Sequence, residues 1–313
     1  MTKHIEDKLN TLPLVRHIVS LFKTIKLPGF EGLSFYDLLE LYVIGVVKGA
    51  LTTRASAIAF SFFTALFPFL LFVLILIPYI PIDNFKVEFI IFLQSFLPPK
   101  TSDFFIENIF ENIDNSKQSG LLSSVFLLSI VLMGNGVNAI FSGFKNSYHE
   151  PLTRSAFKQY LYALSIALIL AFLLIITIIV LGYFEIYIIQ NLIHVIENNG
   201  YTMGKPPIFL ANVAEYLFFI IMIYTAIATL YHFGTLEGKH TKFFSASVFF
   251  TTGLILITSY LFGLYIEHFG QYNKLYGSIG GLLILLFYLW LNANILLLGY
   301  ELKVSINKLK KRS

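Results

Sequence analysis

Six long apolar runs interrupt this chain, at approximately 55–80, 121–143, 160–187, 208–231, 243–265 and 278–301. Crossing the roughly 30 Å hydrocarbon core of a bilayer takes about 20 helical residues, and every run reaches that length. Inside lipid each backbone N–H and C=O needs a partner within the protein, which leaves helices or closed barrels. The runs are continuous and do not alternate in polarity, so they read as helices rather than barrel strands. Composition agrees. Of the 313 residues, 57% are hydrophobic and 13% charged, against about 25% charged in a soluble domain. The absence of cysteine excludes disulfides, thiolate metal sites and cysteine nucleophiles.

Lysine and arginine orient the spans. Seventeen of the 22 fall in the N-terminal segment, the 144–159 and 232–242 loops and the C-terminal tail. The remaining five fall in the 81–120, 188–207 and 266–277 loops. By the positive-inside rule both termini are expected in the cytoplasm. The first long apolar run begins only after Arg54, beyond the signal-peptide window, so insertion through the protein's own helices is expected.

The expected organisation is an all-α membrane protein. Residues 1–53 form cytoplasmic or interfacial amphipathic helices, 54–302 a six-helix transmembrane bundle, and 303–313 a basic cytoplasmic tail. Leu14, Ile18, Leu21, Phe22 and Ile25 keep helical spacing, with Arg16, Lys23 and Lys26 elsewhere on the wheel. That pattern suits a basic helix lying on the membrane surface, or one packed under the bundle. Leu27-Pro28-Gly29 breaks it, and Ser34 with Asp37 resembles a capping box opening a second helix. Between spans one and two, Phe85, Phe89, Phe92, Leu93 and Phe96 precede Pro98-Pro99, and Phe105, Ile109 and Ile113 follow. This predicts an external two-helix loop that lids or seals the bundle.

Polar residues within the spans are the candidate functional groups, because hydrocarbon rejects them. In the last span Gly277, Gly281, Tyr288, Asn292 and Gly299 share one face, while Asn294, Glu301 and Trp290 share a nearly opposite one. A helix polar on two faces is expected inside the bundle, with glycines in close approach and asparagines bonded to neighbouring helices. Pro68 lies mid-membrane, where a kink would free a carbonyl. Asn135, Asn138 and Ser142 form a stripe on the second span, and Ser245, Thr252, Ser259 and Gly263 one on the fifth. Such stripes are also ordinary interhelical glue. Glu185 and Glu215 lie in the outer halves of spans three and four. Glu215 shares a face with Ala211, Asn212, Met222, Ala226 and Thr229, so it is expected to point into the bundle, beside a cavity.

Two stretches carry a resemblance. The first is RASAIAFSFFTALFPFLLFVL at 54–74, including Arg54, Ala57, Phe60, Thr64, Phe67 and Pro68. The second is FGQYNKLYGSIGGLLILLFYLWLNANILLLGYEL at 269–302, with Tyr272, Asn273, Tyr276, Gly277, Ser278, Gly280, Gly299 and Glu301. Together with NSYHEPLTR at 146–154 they resemble the YihY/BrkB family of bacterial inner-membrane proteins, some once labelled ribonuclease BN. The family's proline after the fourth span and its Leu-Pro-Gly opening the fifth are missing from YHFGTLEGKHTKFFSASV. The resemblance implies six helices in the bacterial cytoplasmic membrane. It also implies a role in envelope integrity, serum resistance or export of lipid-like compounds.

Enzyme classes find little footing. The inner loops are short, His149-Glu150 lacks a second histidine at zincin spacing, and His194-x-x-Glu197 is a lone two-ligand spacing. No enzymatic activity, ribonuclease included, and no cofactor or metal site is expected. The reading is transport or flipping of a lipid-like or amphiphilic envelope compound; the alternative is a structural or envelope-assembly protein. Membrane lipids rather than nucleic acid are the expected partners, with a homo-oligomer or an assembly partner left open.

Overall fold

The computed structural model describes residues 21–24, 34, 36–37, 51–76, 87, 119–145, 155–184, 206–235, 242–269 and 278–310. Six long helices account for nearly all of them: α1 Leu51–Leu76, α2 Ser119–Lys145, α3 Ala156–Tyr183, α4 Pro206–Phe233, α5 Ala246–Phe269 and α6 Ser278–Lys310. All six are long and apolar enough to cross a membrane. The two-helix external loop lies outside the described residues, as does most of the N-terminal amphipathic segment. The capping box is present. Ser34 N–H and Oγ–H donate to Asp37 Oδ2 at 2.6 and 2.7 Å, and Asp37 N–H donates back to Ser34 Oγ at 3.3 Å.

Each helix packs against its neighbours in sequence, and α6 returns to α1, so the six close a ring. The last helix therefore has α1 on one side and α5 on the other, as its two polar faces require. The weakly polar residues inside the spans bond mostly within their own helix. Thr177, Thr225, Thr229, Thr252 and Ser259 each donate to the carbonyl four residues back. This satisfies the hydroxyl proton within its own helix, and Ser259 Oγ lies in addition 2.6 Å from Tyr288 Oη of α6.

The core is unevenly distributed. Leu51, Ala55 and Ile58 begin α1, Val137 to Phe144 end α2, Ala163 to Ala167 begin α3, Tyr224 to Tyr231 end α4, and Ala293 to Val304 end α6. All these segments meet where α1 begins and α6 ends, here termed the proximal end. Toward the distal end packing thins, and side chains such as Phe209, Leu217 and Ile221 on α4 and Ile257 and Leu261 on α5 are exposed. A lipid-facing apolar side chain costs nothing in a bilayer, so tight packing is needed only where helices must be held together.

α6 departs from expectation at its end. The helix runs on past Glu301 to Lys310, so the first part of the expected basic tail is a continuation of the span. Lys303 and Val304 are buried against the proximal core. α1 likewise continues unbroken through Pro68.

Candidate functional site

A buried ion pair ties the proximal end together. Arg54, in the first turn of α1, donates from Nη2 to Glu301 Oε1 of α6 at 3.2 Å and from Nη1 to the Gly143 carbonyl of α2 at 2.7 Å. Arg54 is 8% exposed and Glu301 2%. Gly143 lies in the last turn of α2, where carbonyls have no partner within the helix. The guanidinium thus caps α2 at its negative dipole end while Glu301 neutralises the charge. One side chain thereby joins three helices.

Beside this clasp sits an aromatic plug. Phe144 of α2 stacks on Tyr300 of α6 with centroids 4.0 Å apart, and Tyr231 of α4 meets both rings edge-on. Tyr231 Oη donates to the Leu296 carbonyl at 2.7 Å and lies 3.0 Å from Thr251 Oγ1. Tyr300 Oη donates to Thr235 Oγ1 at 3.1 Å. The approach depends on Gly299, where a Cβ would overlap both Thr251 Oγ1 and Tyr231 Oη. A Cβ on Gly234 would lie 2.5 Å from the Phe144 ring. Lys303 Nζ stands 5.6 Å from the centre of the Tyr231 ring and has no hydrogen-bond partner among the described residues.

Farther from the proximal end, α1, α2 and α3 line a half-open apolar cavity of about 190 Å³. Phe62, Leu66 and Phe69 line it from α1, Met133 from α2, and Ala171 and Leu174 from α3. Among the described residues no polar side chain lines it. Pro68 does not line it, although Phe69, the next residue, does. The Pro68 carbonyl accepts a hydrogen bond from Ser129 Oγ of α2 at 2.5 Å.

The sequence-predicted polar residues do not converge on this cavity. Neither Glu215 nor Asn292 lines it. Glu215 is half-buried on the stripe of α4 that holds buried Ala211 and half-buried Met222 and Ala226, while Val213, Tyr216 and Leu217 are exposed. Glu185, Tyr272, Asn273, Tyr276 and Gly277 lie outside the described residues. Ser278 opens α6 and Gly280 is buried. Asn292 and Asn294 were expected to bond to neighbouring helices. Instead Nδ2 of each donates to its own helix, to the Tyr288 and Trp290 carbonyls at 2.9 and 2.8 Å. Both Oδ1 atoms are buried without a hydrogen-bond partner among the described residues.

On α2, Asn138 Oδ1 and Ser142 Oγ accept from Gln159 Nε2 of α3 at 3.0 and 3.1 Å. Asn135 is exposed. Gln159 was not anticipated, nor was the pairing of Arg54 with Glu301. A signal for the pair did exist: an arginine and a glutamate stand at the proximal ends of two apolar spans, and opposite charges at one depth seek each other.

Comparison with known proteins supports one grouping. A model of the family described as Virulence factor BrkB matches residues 45–313. The chain is 26% identical over 262 residues to the Bacillus subtilis (strain 168) protein named "Putative ribonuclease-like protein YfkH". That match covers 83% of this chain and 91% of the relative. No solved structure matches. The match runs from just before the first span through the last, taking in the clasp, the plug and the cavity, and the chain belongs to the Virulence factor BrkB family.

Proposed function

We propose that the protein moves a lipid-like or amphiphilic envelope compound within or across a bacterial cytoplasmic membrane. The observation that carries this reading is the apolar cavity between α1, α2 and α3. A wall of aliphatic and aromatic side chains at membrane depth suits a hydrocarbon chain. The Lys/Arg asymmetry supports placing the proximal end on the cytoplasmic side. The clasp and plug then close the bundle inward, while thinner distal packing leaves the outer half freer to admit a ligand. Glu215, half-buried on α4, serves in this reading as a group for a cation, a proton or a polar head. No catalytic step is assigned, since an apolar cavity offers nothing to a polyanion such as RNA.

The competing reading is a structural or envelope-assembly protein, and the dense proximal core favours it. Filling the cavity separates the two. Ala171 is buried in the cavity wall, so Ala171→Trp replaces ligand space with an indole. Native mass spectrometry of the purified protein is expected to find a copurifying amphiphile in the unsubstituted chain and at least a fivefold loss in the variant. Equal amphiphile content in both folded proteins would refute the transport reading.

A further inference from the structure

Asn135 presents a polar group to lipid. It is exposed, and its side chain forms no hydrogen bond among the described residues. It stands ten residues before Lys145, the last residue of α2. At 1.5 Å per residue that is about 15 Å, half the roughly 30 Å hydrocarbon core. A lysine or arginine could extend along the helix to the membrane surface, but an asparagine side chain is too short. Nor is a partner placed beside it among the described residues. Met133, Val137, Ile140 and Phe144 face the interior, and 100° per residue puts Asn135 on roughly the opposite side of α2. The two helices flanking α2 are already engaged at its sides, Phe62 of α1 against Gly136 and Leu164 of α3 against Gly134. Gln159 satisfies Asn138 and Ser142 but not Asn135.

The neighbours of Asn135 identify what covers it. Ser124, Leu128, Val131 and Asn135 are all exposed and follow one another at intervals of four, three and four residues. These intervals match the a/d spacing by which helices pair in a left-handed crossing, with Asn135 at an a position, where a single asparagine sets register and oligomeric state. An amide carries both a donor and an acceptor, so on a twofold axis it pairs with its own copy. We propose that the protein forms a parallel homodimer in the membrane through α2, with Asn135 hydrogen-bonded to Asn135 of the second copy across the axis. Lipid tails cannot make that bond, and leaving the amide unpaired in hydrocarbon is costly.

The absence of cysteine allows a direct test in lipid nanodiscs or liposomes. Single-molecule photobleaching of labelled full-length protein is expected to show two copies per particle. Asn135→Leu is expected to weaken the dimer at least tenfold, while its thermal unfolding as a monomer stays unchanged. A single Val131→Cys is expected to form an intermolecular disulfide under oxidation, whereas Ile257→Cys on the exposed face of α5 is not. Three results would each overturn the proposal: a monomeric unsubstituted protein, an Asn135→Leu dimer of undiminished affinity, or equal cross-linking at positions 131 and 257.

Discussion

Removing one partner of the clasp should destabilise the protein far more than removing both. Arg54 and Glu301 are buried together at 3.2 Å, and breaking such a pair from one side leaves an uncompensated charge, at a cost of about 3–5 kcal/mol. In Glu301→Gln the guanidinium keeps the Gly143 carbonyl but loses its counter-charge. In Arg54→Met the carboxylate is stranded and the α2 carbonyl loses its cap, which adds about 1 kcal/mol. With both replaced by methionine no charge remains to be stranded, and the expected change is within about 1 kcal/mol of zero, in either direction. Thermal unfolding in a fixed detergent, followed by tryptophan fluorescence and circular dichroism, measures the three variants side by side. A single-variant loss of several kcal/mol corresponds to a fall in Tm on the order of 5–10 °C for a chain of this size. Near-equal Tm values for Glu301→Gln and the unsubstituted protein would refute the reasoning, as would a double variant that falls as far as the two singles summed.

Gly299→Ala should cost about 1–3 kcal/mol through overpacking, because the added methyl overlaps Thr251 and Tyr231; unchanged denaturant unfolding would count against the close approach. Lys303→Met should leave stability unchanged or raise it by about 1 kcal/mol, since the buried ammonium has no hydrogen-bond partner among the described residues and an apolar side chain removes its desolvation cost. A loss beyond about 2 kcal/mol would show a strong compensating interaction. Glu215→Gln should abolish function in a complementation assay while the protein stays folded, since glutamine keeps the shape but not the charge; full activity would return Glu215 to a structural role. An introduced Ser116→Cys, between the first two spans, should react with an impermeant thiol reagent only from outside the cell, and labelling confined to the cytoplasmic side would invert the orientation.

How far the sequence reached differs from one feature to the next. The six spans were legible because lipid demands about 20 apolar residues per crossing and helices within them. The Ser34–Asp37 box was legible because both bonds lie within three residues. The two-sided contact of α6 was legible from its two polar faces, where Tyr288 meets Ser259 of α5 and Glu301 meets Arg54 of α1. Asn292 and Asn294 were misjudged because a buried amide can donate to the carbonyl four residues back on its own helix, an option no wheel distinguishes from a neighbour. The end of α6 was misjudged because Lys303 reads as solvated tail, whereas here it lies against the Tyr231 ring.

By itself, then, the sequence determined the class of fold, the six helices long and apolar enough to cross a membrane, and the residues that lipid would not tolerate. Those follow from local composition and from the bilayer acting as a uniform solvent. Which of the intolerable residues meet was decided by the tertiary structure alone. Arg54 and Glu301 are 247 positions apart, and Phe144, Tyr231 and Tyr300 come from three separate helices. Such contacts depend on the order in which helices close the ring and on the rotation of each about its axis. Rotation is set by where glycine lets a neighbour approach, as at Gly299 and Gly234, a packing property that no single helix carries in its own sequence.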